Sequence, residues 1–176
     1  MPELPDVEVI RRYLAYTSLH QTIIEVGVLE PSLVEGMPVQ EFQRLLRHKR
    51  MTDTVRHGKY LLVNLDGQLW IAMHFGMTGG LRHYRHGEPQ PARTRIRFSF
   101  DTGYRLAYTS QRNLGRVSLI TSPQDFINSR GLGPDALSQR MDYPLFRRLL
   151  SLKKGMIKPA LMDQSTLAGI GNIYSD

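Results

Sequence analysis

The stretch HGKYLLVNLDGQLWIAMHFGMTGG, residues 57–80, decides the fold. Its runs KYLLVNL and QLWIAMHF are rich in β-branched and aromatic residues and flank Asp66-Gly67, a dipeptide whose backbone suits a tight hairpin turn. Runs of the same texture lie to either side: QTIIEVGVL (21–29), RMTDTVRHG (50–58), TRIRFSF (94–100), YRLAYTS (104–110) and RVSLI (116–120), with Thr102-Gly103 as a second hairpin signal. One helical interlude, VQEFQRLLR (39–47), interrupts them. The opening MPELPDVEVIRRYLAYT sets Val7, Ile10, Leu14 and Ala15 on one face after Pro5 and Asp6, which predicts a helix from about Asp6 to Tyr16. Closely spaced strands behind one leading helix predict an α+β protein built on a two-layer antiparallel β-sandwich.

The texture changes near Pro123. RGLGPDAL reads as a linker, and MDYPLFRRLLSLKK and IKPALMDQSTL then show helical spacing while the strand pattern stops. The division is a sandwich domain over residues 1–121, a linker over 122–136 and a helical part over 137–176, whose closing AGIGNIYSD reads as a glycine-rich turn entering a helix.

Charge narrows the function. The 176 residues carry a net charge of +7, and the excess is lopsided: residues 1–88 hold 10 basic and 10 acidic side chains, residues 89–176 hold 13 and 6. That asymmetry favours a polyanionic partner, nucleic acid first. The 0 cysteines exclude a disulfide scaffold, a thiol nucleophile and a cysteine-ligated metal within this sequence. No apolar run is long enough to span a membrane, and Glu3, Asp6 and Glu8 stand where a signal peptide would be positive, so the expectation is a soluble intracellular protein.

Several residues carry possible chemistry, each beside a plainer reading. Proline at position 2 favours removal of Met1, which would leave a free secondary amine on Pro2, a nucleophile that titrates far below lysine. Glu3 could move protons beside it; the plainer reading is a helix-flanking proline and a favourable first-turn charge. Lys59, after Gly58 at a strand tip, suits phosphate binding or proton transfer, or is a solvated hairpin lysine. His74 ends a strand, and Met77 sits among Gly76, Gly79 and Gly80, with little local bulk to bury it, so it is either core or an exposed apolar wedge. In TSQRNLGR, Arg112 and Leu114 pair a cation with an apolar neighbour, a combination that can fill a gap in a base stack; otherwise they are a solvated arginine and an inward leucine. Lys158, and Asn172 after Gly169 and Gly171, could bind phosphate at a glycine-rich turn, or Asn172 is a simple helix cap.

Taken in order, MPELPDVE, HGKYLL, HFGMTGGL, LGPDAL and IKPALMDQSTLAGIGNIYSD resemble the formamidopyrimidine-DNA glycosylase and endonuclease VIII family of base-excision repair enzymes, with the opening closer to the formamidopyrimidine branch. The resemblance implies a bifunctional glycosylase and abasic-site lyase acting on oxidised purines in double-stranded DNA. It implies that Pro2 forms an imine with the sugar, that Glu3 shuttles protons, that Lys59 contacts phosphate and that Asp6 supports the active site. Met77, Arg112 and Leu114 would enter the vacated stack, while His74, Lys158 and Asn172 grip phosphates. It also implies a helix-two-turns-helix module beginning within 137–176, with the family's zinc or zincless finger beyond it and so no cofactor within this chain. A monomer in the bacterial cytoplasm, working on nucleoid DNA and away from membranes, completes that picture. The sequence departs from the family pattern at Asp6, where glutamate is common, and at Asn113 and Leu114, where a second arginine and a phenylalanine are frequent. Two other readings remain at this point: an inactive DNA-binding module of the same family, and a basic RNA-associated β-domain.

Overall fold

The computed structural model describes residues 2–153 and 155–176. Helix α1 (Leu4–Ser18) begins ahead of the expected Asp6 because Pro5 occupies its first turn, where an N–H is not needed, and Asp6 accepts a hydrogen bond from the Glu3 N–H at 2.9 Å. Its Val7 and Leu14 are buried and its Val9 and Tyr16 face out, the helical periodicity expected.

Strand β1 (Ile23–Val28), a two-residue β2 (Val34–Glu35) and helix α2 (Val39–Leu46) follow. Next come β3 (Met51–His57), β4 (Tyr60–Leu65), β5 (Leu69–His74), β6 (Gly80–Arg85), β7 (Thr94–Phe100), β8 (Tyr104–Thr109) and β9 (Arg116–Ile120). They form a four-stranded sheet in the order β1-β7-β8-β6 and a five-stranded sheet in the order β2-β9-β5-β4-β3. Both hairpin dipeptides do as expected: Asp66-Gly67 joins β4 to β5, with Leu65 opposite Leu69, and Thr102-Gly103 joins β7 to β8. Two details differ from the sequence reading. β6 arises from GGLRHYR, whose glycines and charges mask its strand character, and β2 pairs parallel with β9, Val34 opposite Val117, so the sandwich is not purely antiparallel.

Between the sheets lies one core. Val26, Ile96, Phe98 and Leu106 meet Leu61, Val63, Ile71 and Met73, with Phe42 and Leu46 of α2 closing one end. Each such side chain contributes about 1.5–3 kcal/mol by leaving water. β4 reads as an unbroken apolar run because it is buried on both faces: Leu62 turns the other way, toward Ala72 and Phe126. Phe126 belongs to α3 (Pro123–Ser129), capped by the Ser122 hydroxyl, which accepts from Asp125 N–H at 3.2 Å. The first half of the stretch expected to be a linker is therefore a helix packed on the sandwich.

Beyond it, α4 (Tyr143–Ser151) is capped by Asp142, and α5 (Ile157–Met162) is short; neither buries a residue fully. The closing residues 172–175 form turns rather than the expected helix start. Among the described residues no helix is long and apolar enough to cross a membrane.

Candidate active site

The N-terminal end of α1, the β3–β4 hairpin and the AGIGN segment meet at one seam. Glu3 is 1% exposed, and its carboxylate accepts backbone N–H groups from Gly171 (2.7 Å), Ile173 (2.8 Å) and Tyr174 (3.3 Å). The Leu4 N–H donates to the Gly169 carbonyl at 3.0 Å, so a first-turn amide of α1 is satisfied by the same segment. Lys59, 7% exposed, reaches this seam from its two-residue hairpin, which corrects the picture of a solvated surface lysine. A Cβ on Gly171 would lie 2.5 Å from Glu3 Oε1 and 2.8 Å from Lys59 Nζ. Carboxylate and ammonium thus converge on one backbone position that only glycine leaves open.

Electrostatics follow from that geometry. Burial pushes the Glu3 carboxyl up, but the three amides and the Lys59 charge outweigh it and hold its pKa below the ordinary value. Burial likewise lowers the Lys59 ammonium, with Glu3 opposing, and the net shift is downward. Lys59 therefore gives up its proton more readily than an exposed lysine, while the Glu3 carboxylate is held ionised beside it. Beside them an open cleft of about 590 Å³ is lined by Pro2, Asp6, Ile10, Tyr13, Arg82 and Ile173.

The hairpin that carries Lys59 is bolted to the segment after α3. Arg56 forks onto both oxygens of Asp135, with Nη2 to Oδ1 at 2.8 Å, and Asp135 also accepts the Gly58 N–H at 2.6 Å and the Leu137 N–H at 2.9 Å. Burial raises the Asp135 carboxyl, the Arg56 fork and the two amides lower it more, and it stays ionised. His57 Nε2 lies 2.9 Å from the Gly133 carbonyl, adding a second tie.

Elsewhere on the molecule, two loops stand together. The β5–β6 loop lifts Met77 into solvent at 44% exposure, and the β8–β9 loop lifts Leu114 to the same degree. Gly76, at φ +58°, lies so close to the Leu114 carbonyl that a Cβ would stand 2.6 Å from its carbon, and Arg112 Nη1 is 3.2 Å from Met77 Sδ. Met77 is thus an exposed apolar tip rather than core, and Leu114 points outward rather than inward. His74 ends β5 half-buried against Tyr60, ring centroids 5.0 Å apart, and its Nδ1 accepts the Gly76 N–H at 3.2 Å. That bond leaves Nε2 as the side able to donate. Burial first, then Lys59 and Arg116, keep the ring's pKa below the usual histidine value.

The structure therefore gathers Pro2, Glu3, Asp6 and Lys59 at one place and Met77, Arg112 and Leu114 at another. Asp6 caps α1 through the Glu3 N–H and borders the cleft. Lys158 is paired with Asp176 on an exposed face, and Asn172 stands exposed between the amides that bind Glu3, with no helix to cap. The expected removal of Met1 lies outside the described residues. Sequence reading flags Gly171 only as part of a glycine-rich anion-binding turn, not as a partner of Glu3, and misses Ile173, Tyr174, Arg56 and Asp135. The first three act through backbone N–H groups, which leave no side-chain signature, whereas the lone acid of LGPDAL is a signal for the last.

Comparison with known proteins agrees with this arrangement. Residues 1–117 match the formamidopyrimidine-DNA glycosylase N-terminal domain and residues 132–176 the formamidopyrimidine-DNA glycosylase H2TH domain. Formamidopyrimidine-DNA glycosylase of Heliobacterium modesticaldum is 41% identical over 182 residues, covering 100% of this chain and 65% of the relative. That of Moorella thermoacetica is 36% identical with the same coverage. Among solved structures, the complex between the Lactococcus lactis Fpg and an abasic site containing DNA superposes with TM-score 0.91 at 30% identity, over 99% of this chain and 64% of that one. MutM in complex with carbocyclic 8-oxo-G containing DNA gives TM-score 0.91 at 29% identity, over 99% of this chain and 65% of that one. The chain spans less than two thirds of the length of these relatives. With both domain types matched in order along the sequence and the sandwich superposing, an origin as an RNA-associated β-domain is set aside: the chain belongs to the formamidopyrimidine-DNA glycosylase family.

Proposed function

We propose that this chain carries the catalytic face of a base-excision enzyme that removes oxidised purines from duplex DNA and cuts the strand at the abasic site. The observation that carries the reading is the burial of Glu3 and Lys59 on either side of Gly171, next to Pro2 at the edge of an open cleft.

Once Met1 is removed, the secondary amine of Pro2 attacks the anomeric carbon of an extruded nucleotide. The bond to the base breaks and the base leaves with the proton that the amine gives up; the C1′–O4′ bond then opens, O4′ takes up a proton, and Pro2 is joined to the ring-opened sugar as an iminium. The iminium draws electrons from the neighbouring C–H bond. Loss of that proton expels the 3′ phosphate, and a second elimination expels the 5′ phosphate. Glu3, ionised and fixed by three amides, moves protons at the sugar; Lys59, whose ammonium is made more acidic by burial, donates to a leaving oxygen or holds a phosphate. Asp6 orients the start of α1. Met77, Arg112 and Leu114 fill the gap left in the stack, His74 donates from Nε2 to a backbone phosphate, and Asn172 and Lys158 add phosphate contacts once Asp176 is displaced. The partner is double-stranded DNA with oxidised bases or abasic sites, engaged by a monomer in the bacterial cytoplasm, with no cofactor held by these residues.

The test is a duplex oligonucleotide with one oxidised guanine and a second with one abasic site. The account expects cleavage of both, with phosphate left on each side of the gap. Cleavage of neither by protein lacking Met1, with salt-sensitive binding retained, would replace this reading with that of an inactive DNA-binding module.

A further inference from the structure

In the loop between β8 and β9 the side chains alternate: Arg112 and Leu114 are exposed, and Asn113 between them turns inward. Asn113 is a non-glycine residue at φ +51°, in the left-handed region that asparagine tolerates better than most. Its Nδ2 donates to Glu30 Oε2 at 2.7 Å, a charge-assisted hydrogen bond across 83 residues of sequence. Glu30 is itself fixed, since its Oε1 accepts the Ser32 hydroxyl at 2.8 Å and its backbone N–H donates to the Arg95 carbonyl at 3.2 Å. Arg95 closes the circuit by donating from Nε to the Ser110 carbonyl at 2.9 Å, at the root of the same loop. A left-handed residue flanked by two outward side chains and tied from behind is a bend held in a set position.

We propose that Glu30 and Asn113 form a clamp that sets the 111–115 turn, so that Arg112 and Leu114 project from the surface before DNA arrives. Glu30 and Asn113 are positioning residues: neither has to touch DNA, and each acts through its neighbours in the loop. This rests on the proposed role of Arg112 and Leu114 in the base stack, and deepens it. The inward side chain sets the outward aim of the other two.

Four variants read the clamp: Glu30→Ala removes the acceptor, Glu30→Gln keeps a carbonyl acceptor, Asn113→Asp sets two carboxylates against each other, and Asn113→Gly keeps the backbone freedom without the clamp. In the DNA-free protein, amide exchange across residues 109–116 should quicken about tenfold in Glu30→Ala, Asn113→Asp and Asn113→Gly, the factor one charge-assisted hydrogen bond carries, and stay near the parent's in Glu30→Gln. Equal exchange in all five proteins overturns the clamp whether or not the chain is an enzyme. A second readout separates it from general loss of structure: borohydride trapping on an abasic-site duplex should fall about tenfold in the three weakened variants, while trapping on a single-stranded abasic oligonucleotide, which has no stack to fill, stays at the parent's level. Equal falls on both substrates would mean a merely structural residue. If the parent traps neither substrate, the proposed function fails, and the exchange measurement still decides the clamp.

Discussion

At the seam, the Glu3 carboxylate is shut away from water, its two oxygens met by three backbone amides, with buried Lys59 converging on the same glycine; at the loop tips, Met77, Arg112 and Leu114 stand in solvent with only Asn113 turned inward. Under the proposed function the two regions would serve one reaction by opposite means. Charge that stabilises a reacting sugar is worth most when its dipoles are fixed beforehand and water is excluded, which fits a seam where Glu3 is buried and held by three amides. Groups proposed to enter a base stack would find their apolar environment only in the complex, which fits their exposure here. Fixing the backbone while freeing the tips is the arrangement both regions share.

That contrast can be broken at the seam with the largest effect. Asp135→Ala leaves Arg56, whose side chain is only 9% exposed, with Glu8 at 3.5 Å as its remaining carboxylate, and should cost about 3 kcal/mol in urea unfolding, the lower end of the usual cost of breaking a buried ion pair. Glu3→Gln offers amide hydrogens where three N–H groups need acceptors; it should lower base excision by about a hundredfold or more, as the loss of a positioned proton carrier does, and should loosen residues 169–174 to amide exchange.

Acid should act on the seam's neighbourhood before the tips. Hydrogen bonds from Arg11 hold the Glu8 carboxyl down at about 2, with burial opposing and Arg12 adding to the effect. Its contribution is thus complete above pH 4.5, the ordinary value, and is lost as pH falls toward about 2. Glu3 and Asp135, also lowered, act in the same sense. His74 adds to it, because a histidine whose pKa lies below 6.5 when folded resists the protonation that the unfolded chain accepts below that pH. Thermal melts should therefore decline from near pH 6.5 and steeply below pH 4.5, with Glu8→Gln flattening the acid limb.

The smallest effect on stability belongs to the tips. Leu114→Ala should change unfolding free energy by less than about 0.5 kcal/mol, as exposed positions do, yet weaken damaged-duplex binding several-fold. A large loss of stability there would mean that Leu114 packs inward and that the contrast is misdrawn.

The same contrast governs what could be read from sequence. The hairpin at Asp66-Gly67, the leading helix and Lys59 at a strand tip announce themselves through side chains, and so do Met77 and Arg112 in their loops. β6 hides because Gly80, Arg82 and Arg85 give it neither β-branched character nor clean alternation, and α3 hides because RGLGPDAL draws attention away from the Ser122 cap. The AGIGNIYSD stretch carries helix-start residues, and the structure shows turns over 172–175 with amides that cap onto Glu3. What escapes sequence reading is chiefly long-range and made by backbone groups: the partners of Glu3 lie some 170 residues away and would donate the same N–H from almost any residue type.

The central claim is that the seam delivers a nucleophilic Pro2 to a sugar. Protein whose intact mass shows Met1 removed, incubated with an abasic-site duplex and borohydride, should give a covalent adduct whose peptide map ends at Pro2. An adduct at Lys59 instead, or none at all, would contradict it.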